Sequence, residues 1–119
     1  MERALIVKKE WLDKIFDDFK LWEMRSMKTN IRGRIGLIEA GSGLIVGEAE
    51  LVDSLAPLSD LNISLGLAEG LHCVTDKGLL RKWRHPWVLK NAERYEKPIP
   101  YGHPKGAVIW VKMNNTPPV

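Results

Sequence analysis

Two strand-like segments separated by a glycine-rich turn place the strongest constraint on the fold. Residues 34–40 alternate imperfectly between apolar and polar side chains, and residues 44–54 continue as a long returning strand. Gly41, Ser42 and Gly43 lie between them, and short glycine turns join the antiparallel strands of a hairpin. Gly47, inside the second strand, indicates a bulge or a close backbone approach. The pattern therefore predicts a β-hairpin.

Further strands and helices are predicted around this hairpin. Residues 10–20 have apolar side chains at helical spacing, which predicts an amphipathic helix ending near Lys20. Strands are predicted at residues 3–8, 22–26, 86–96 and 107–113, short helices after Ser59 or Asp60 and after Thr75 and Asp76, and an extended loop at Pro98, Pro100 and Pro104. Short, uneven strands with glycine turns favour an α+β small barrel of about five to six strands with flanking helices over a doubly wound sheet.

The length and the cysteine content limit the class of protein. A chain of 119 residues fits one domain, so we assign residues 1–113 to a single domain and residues 114–119 to a flexible C-terminal tail. Cys73 is the only cysteine, which excludes an intrachain disulfide and favours a reduced, cytoplasmic setting. No signal-peptide pattern and no bilayer-length apolar stretch is present, so we expect no membrane partner.

Charge is unevenly distributed along the chain. Residues 35–76 contain seven acidic residues and no lysine or arginine. Residues 77–119 contain nine basic residues and only two acidic ones. Two interpretations stay open: the basic segment presents a cationic face to phosphates, or both segments are ordinary solvated surface. The charge pattern permits a nucleic-acid partner without requiring one.

The spacing Lys20-x-x-Glu23-x-Arg25 is the most distinctive charged motif. Strand side chains alternate between faces, so Glu23 and Arg25 share one face while Trp22 and Met24 take the other. Lys20, in the last turn of the predicted helix, leans toward the polar face. These charges form either a pocket for a polar ligand or an internal ion-pair cluster that ties the helix to the sheet.

The three side chains suit two kinds of chemistry. As ligand readers, Arg25 offers a rigid donor fork, Glu23 accepts from amines or hydroxyls, and Lys20 supplies a mobile positive charge. As catalysts, Glu23 would activate water while Lys20 and Arg25 stabilise developing negative charge, or Lys20 would act as the base after desolvation lowers its pKa. The catalytic residues, if the protein is an enzyme, are therefore Lys20 and Glu23.

An ordered set of segments resembles the ASCH domain, the activating signal cointegrator homology family of the PUA-like superfamily. The matching segments are residues 4–8 with Trp11, the motif of Lys20, Glu23 and Arg25, residues 29–33 with Asn30 and Arg32, residues 46–53, residues 87–89 before 98–100, and residues 106–110. The resemblance spans nearly the whole chain. It implies a small β-barrel flanked by helices, with the charged motif in a cleft beside the first helix.

The resemblance also implies a range of activities. The superfamily is associated with RNA and with reading modified bases, and some ASCH members are hydrolases that act on acetylated cytidine or cleave RNA. Two positions depart from the family pattern: Asp18 replaces a glycine, and Glu23 stands where the amidohydrolase branch has a threonine. We therefore expect an RNA- or nucleotide-binding module, with a small hydrolase and a protein-interaction adaptor as alternatives.

Five residues outside the motif are further candidates for the binding site. Asn30 and Arg32 bind phosphate from a turn or serve the turn alone, and Lys8 flanks the cleft at the end of the first strand. Trp87 is expected in the core or the pocket wall, and Trp83 is the best candidate for stacking on an exposed base.

Cofactor and metal sites are not predicted. His72, Cys73, His85 and His103 offer too few ligands at unconvincing spacing for a metal. The glycines between residues 33 and 47 lack the lysine and hydroxyl residue that complete a P-loop. We therefore expect no cofactor and no metal.

Overall fold

A computed structural model describes residues 1–17 and 19–113 of the chain. The elements are β1 (Arg3–Val7), α1 (Lys9–Phe16), β2 (Trp22–Arg25), β3 (Gly33–Glu39), β4 (Leu44–Ser54), α2 (Asp60–Ser64), α3 (Glu69–His72), α4 (Lys77–Lys82), β5 (His85–Pro100) and β6 (Trp110–Lys112). The strands form one six-stranded sheet in the order β2-β5-β4-β3-β1-β6. The sheet curls into a half-barrel, which confirms the predicted α+β class and small-barrel architecture. Asp18 and the tail predicted at residues 114–119 lie outside the described residues.

The central hairpin is confirmed. β3 and β4 pair antiparallel, and the turn glycines Gly41 and Gly43 have φ of 79° and 71°, the left-handed region that glycine adopts without strain. The register shifts near Gly47, because β4 is irregular there against both neighbours. A Cβ at Gly47 would lie 2.5 Å from Cζ of Phe16 and would also meet the carbonyl oxygen of Glu93. Gly47 therefore marks both a bulge and a close approach of α1 to the sheet.

The first helix ends earlier than predicted, at Phe16 instead of Lys20. The N–H groups of Phe19 and Lys20 both donate to the carbonyl oxygen of Lys14, at 3.0 and 3.1 Å, so the chain leaves the helical path. Phe19, predicted on the apolar face, is instead exposed. Lys20 consequently lies in the linker before β2, where its side chain turns inward.

The loop predicted at Pro98 and Pro100 is also wrong, because β5 continues through Pro100. The N–H of Tyr101 donates to the carbonyl of Gly43 on the β4 side, so by alternation the nitrogens of both prolines face away from β4. β2 covers only His85–Val88 of β5, and proline is tolerated on the uncovered edge because no ladder bond is lost there. The closing strand is shorter than predicted, and α3 was not predicted.

The short helices pack against one face of β2. Met24 is buried with Leu58, Ile63, Val74 and Leu80, which come from the segments around α2, α3 and α4. The predicted caps are present: Ser59 accepts from the N–H of Asn62, and Asp76 accepts from the N–H groups of Gly78 and Leu79. This packing holds β2 in place although it has only one strand neighbour.

β2 and β6 are the two edges of the sheet, and the curl of the sheet brings β2 near β1 and the segment before β6. No strand pairing joins β2 to β1 within the described residues. Instead, Nη2 of Arg25 donates to the carbonyl oxygen of Ile6 at 2.8 Å. We call this gap between β2 and β1 the seam. None of the described helices is long and apolar enough to cross a membrane.

Candidate functional site

A cavity of about 280 Å³ lies at the seam. β2 supplies Glu23, Met24, Arg25 and Ser26 to its lining, and β1 with the residue after it supplies Ile6 and Lys8. The remaining lining residues are Trp11, Lys20, Ala40, Val74, Trp83, Val108 and Ile109. The cavity therefore forms where the sheet is not closed by a strand ladder.

Lys20 is the most deeply buried charged group of this cavity, with 1% of its side chain exposed. Its Nζ donates to the carbonyl oxygen of His72 at 2.5 Å and lies 3.7 Å from Oε1 of Glu23. The ammonium also lies 4.9 Å from the centre of the Trp11 ring, a cation–π distance. Burial lowers the pKa of Lys20 below its ordinary 10.5, and the nearby Glu23 carboxylate only partly opposes this.

Glu23 and Arg25 form a close ion pair on one face of β2. Oε2 of Glu23 accepts from Nη2 and Nε of Arg25 at 2.7 and 3.1 Å. With the bond from Nη2 to Ile6, this engages two of the three guanidinium nitrogens and leaves Nη1 without a hydrogen-bond partner in the described residues. The alternation of β2 thus places both side chains together, as the sequence predicted.

The charges of the cavity do not cancel. Lys8, Lys20 and Arg25 are cationic, and Glu23 is the only carboxylate among the described residues of the lining. Lys8 is exposed and makes no ion pair or side-chain hydrogen bond within the described part of the chain. Nη1 of Arg25 and Nζ of Lys8 are therefore available donors, and the cavity favours a ligand with negative charge or acceptor oxygens.

Apolar and aromatic side chains form the cavity walls. Trp11 of α1 and Trp83, just after α4, both line it and are half-buried. Val108 lines the opposite rim and is 76% exposed. Trp83 was predicted as an exposed stacking residue, whereas it is partly buried against the helices and lines the cavity. Flat rings beside charged donors suit a ligand with a planar face.

Asn30 and Arg32 lie elsewhere. They line an open, second pocket together with Met1, Arg3 and Arg34, at the opposite end of β1 from Lys8. Nη1 of Arg32 donates to the carbonyl oxygens of Thr29 and Ile31, both at 2.8 Å, and its Nη2 lies 3.6 Å from Asp53. The structure therefore does not bring these two residues to the cavity at the seam.

Trp87 does not line the cavity, but its ring lies against Arg25, which does. It is 2% exposed, stacks on Trp110 with ring centres 5.7 Å apart, and donates from Nε1 to the carbonyl oxygen of Met27. The guanidinium of Arg25 lies 5.7 Å from its ring centre. Trp87 is thus a core residue on which Arg25 rests.

The main-chain partners of the site were missed by the sequence reasoning. His72 holds Lys20 through its carbonyl oxygen, and its own buried ring accepts from the N–H of Val74 at 2.9 Å through Nδ1. Burial, and then the nearby Lys20 charge, lower the pKa of His72 below its ordinary 6.5. A carbonyl partner leaves no signature in side-chain identity, so neither His72 nor Ile6 could be found from the motif. Among the described residues, no cluster of three or more His, Cys, Asp or Glu side chains could hold a metal ion.

Comparison with known proteins agrees with this geometry. The family model of the ASCH domain matches residues 5–99. The chain belongs to the ASCH family. The match includes Lys8, Lys20, Glu23 and Arg25 and ends before the segment that carries Val108 and Ile109. Asp18, which departs from the family pattern, lies outside the described residues.

One solved structure is similar over most of its length. An ASCH protein from Zymomonas mobilis, known from a crystal structure, superposes with a TM-score of 0.64 and 16% sequence identity. The similarity covers 83% of this chain and 73% of that chain, and at this identity it shows the fold alone. A search of curated proteins gives no match.

Proposed function

We propose that this ASCH domain is an RNA- or nucleotide-binding module that holds a base or nucleotide in the cavity at the seam. One observation carries the proposal: a cavity whose described lining has three cations against one carboxylate, and in which Arg25 Nη1 and Lys8 Nζ have no partner among the described residues. Phosphate oxygens and base carbonyls are acceptors that such donors bind. The resemblance of the sequence to a superfamily associated with RNA supports the same assignment.

The size and the walls of the cavity favour one nucleotide over a larger ligand. Small-molecule sites usually have volumes of about 300–1,000 Å³, so about 280 Å³ lies just below that range. Trp11 and Trp83 offer ring surfaces against which a base can stack, and stacking contributes about 1–3 kcal/mol per base. The exposed position of Lys8 suits a phosphate at the entrance.

Binding of nucleoside monophosphates by titration calorimetry tests this function. We expect cytidine or adenosine 5′-monophosphate to bind the wild type and to bind Lys20→Met at least tenfold more weakly. Methionine keeps the apolar stem beside Trp11 and leaves Glu23 paired with Arg25, and circular dichroism of the variant checks that the fold is retained. The matched control is Lys97→Met, which removes an exposed lysine of β5 and should leave affinity unchanged. Equal affinity of Lys20→Met and the wild type would exclude Lys20 from the binding site.

A hydrolase is the second candidate, because one observation favours it. Burial lowers the pKa of Lys20 beside Glu23, and a lowered pKa is the direction of shift that a lysine needs to act as a base. Turnover of acetylated cytidine or cleavage of RNA by the wild type, lost in Lys20→Met, would establish this activity. Binding without turnover would leave the binding module as the function.

A further inference from the structure

The hydrogen-bonding phase of β2 leaves one residue's main chain facing the cavity. β2 pairs with β5 in a register that aligns Glu23 with Trp87 and Arg25 with His85. The N–H of Leu89 donates to the carbonyl of Leu21, which is in phase with these two pairs. Since antiparallel pairs alternate between bonded and non-bonded, the main-chain groups of Trp22 and Met24 point away from β5.

The residue opposite Met24 supports this phase independently. Met24 is aligned with Pro86, which has no N–H to donate. The carbonyl oxygen of Pro86 accepts from the N–H of Leu55 on the β4 side, so it does not face β2. The N–H and C=O of Met24 are therefore outside the β2–β5 ladder, and β2 has no strand on its other side in the described part of the chain.

The residue that carries these two groups is buried and lines the cavity. Met24 is 5% exposed and belongs to the cavity lining. Buried main-chain donors and acceptors are almost always paired in folded proteins, because an unpaired group loses its hydrogen bonds to water without replacement. A donor and an acceptor side by side on an open strand edge are thus a ready partner for a ligand that presents the complementary pair.

We infer that the main chain of Met24 reads the Watson–Crick edge of the bound base, an inference that rests on the proposed function. The N–H of Met24 donates to a ring nitrogen, and its C=O accepts from the adjacent exocyclic amine. Oε1 of Glu23 lies 3.7 Å from Lys20 Nζ, longer than a conventional hydrogen bond, so it keeps acceptor capacity for the same amine. Cytosine and adenine present a ring acceptor beside an amine, whereas uracil does not. The site is therefore selective for cytosine and adenine.

A proline at position 24 tests the protein side of this inference. Met24→Pro removes the N–H without breaking a bond of the β2–β5 ladder, and proline is tolerated on an open strand edge. The matched control is Met24→Leu, which replaces the buried side chain with one of similar size and keeps the N–H. We expect Met24→Pro to bind cytidine or adenosine monophosphate about tenfold more weakly than Met24→Leu. Equal affinities of the two variants would overturn the inference.

Base analogues test the ligand side on the wild type, so the answer does not depend on the folding of Met24→Pro. 1-Deazaadenosine monophosphate lacks the ring nitrogen of the Watson–Crick edge, and 7-deazaadenosine monophosphate lacks only the ring nitrogen of the other edge. We expect the first to bind about tenfold more weakly than adenosine monophosphate and the second to bind equally. Equal binding of the two analogues would overturn the inference, as would stronger binding of uridine than of cytidine monophosphate.

The results separate this inference from the proposed function. One result would leave the proposed function standing and contradict the role of Met24: the wild type binds nucleotides and Lys20→Met lowers the affinity, whereas neither Met24→Pro nor the change to 1-deazaadenosine monophosphate lowers it. If no nucleotide or single-stranded RNA binds the wild type, both fail. If Met24→Pro does not fold, a main-chain ester at position 24, which removes the same N–H with little change of shape, replaces it.

Discussion

Two groups of charged side chains on the same sheet differ in nearly every physical respect. The cavity cluster consists of Lys20, Glu23 and Arg25, with side-chain exposures of 1%, 6% and 18%. The outer cluster consists of Arg34 with Glu48, Glu50, Glu93 and Tyr95, and its charged side chains are 25–72% exposed. The first has two cations for one carboxylate, and the second has one cation for three carboxylates.

In the outer cluster, Arg34 makes hydrogen bonds through every nitrogen of its guanidinium group. Arg34 donates from Nη2 and Nε to Oε1 of Glu48 at 2.8 and 3.1 Å, and from Nη1 to the carbonyl oxygen of Asn91. All three guanidinium nitrogens are engaged, and the hydroxyl of Tyr95 adds a bond to Glu48 at 2.9 Å. In the cavity cluster, Nη1 of Arg25 is left over. A half-buried cation with one nitrogen that has no partner in the described part of the chain distinguishes a candidate site from a surface ion-pair network.

Stability should separate the two clusters most strongly. Glu23→Gln leaves Lys20 and Arg25 buried without a compensating charge, and removing one partner of a buried pair costs about 3–5 kcal/mol. Glu48→Gln breaks an exposed pair, for which about 0–1 kcal/mol is typical. Urea unfolding of both variants and the wild type measures the difference. Equal losses of unfolding free energy would mean that the two clusters do not differ in this way.

The second largest difference between the two clusters should be in nucleotide affinity. Lys20→Met should weaken nucleotide binding at least tenfold, which is about 1.4 kcal/mol or more. Arg34→Met removes a cation of the outer cluster and should leave nucleotide affinity unchanged, because Arg34 does not line the cavity at the seam. Calorimetric titration of both variants with the same nucleotide measures the contrast. A comparable loss in Arg34→Met would move the binding site to the outer face of the sheet.

The pH dependence of stability should differ between the two clusters in its cause and its range. Burial lowers the pKa of Lys20, so between that lowered value and 10.5 the unfolded chain holds a proton that the folded chain has released. The unfolding free energy of the wild type relative to Lys20→Met therefore rises with pH in this window, by at most about 1.4 kcal/mol per pH unit. Tyr95, whose pKa is raised to about 12 by burial and Glu48, cancels in this difference because both proteins contain it.

Glu48 acts at acid pH instead. The hydrogen bonds from Arg34 and then Tyr95 lower the pKa of this carboxyl below its ordinary 4.5. The stabilisation from Glu48 is fully present above 4.5 and is lost as the pH falls through the lowered value. The wild type should therefore lose its advantage over Glu48→Gln in acid. Thermal or urea unfolding of the two proteins across this range checks the trend, and a constant difference would contradict it.

The smallest expected effect concerns the salt dependence of RNA binding. Each phosphate contact to single-stranded RNA contributes about 0.7 to the slope of log affinity against log salt concentration. Lys8→Ala removes one free cation at the entrance and should reduce the slope by about that amount, whereas Lys97→Ala should not. Fluorescence anisotropy with a short labelled RNA at several salt concentrations measures the slopes. An unchanged slope in Lys8→Ala would remove Lys8 from the binding surface.

The sequence predicted those features that depend on local pattern. Glycines at 41 and 43 indicated the hairpin, and strand alternation placed Glu23 and Arg25 on one face, where they form an ion pair. It could not predict α3, because four residues are too few to show helical periodicity. It placed Lys20 in a helix because Phe19 continued the apolar spacing, whereas Lys20 is bound by a carbonyl 52 residues away. The prolines of β5 were misread because their tolerance depends on the order of strands in the sheet.

The bond from Arg25 to the carbonyl of Ile6 has a mechanical consequence. One side chain fastens the fourth residue of an edge strand to the first strand of the fold, and the same guanidinium faces the hollow beside it. A ligand that draws the guanidinium of Arg25 into the cavity would break its hydrogen bond to Ile6 and loosen the contact between β2 and β1. Amide hydrogen exchange at Ile6 and Val7 would then quicken on occupancy, although bound guests ordinarily slow exchange around them.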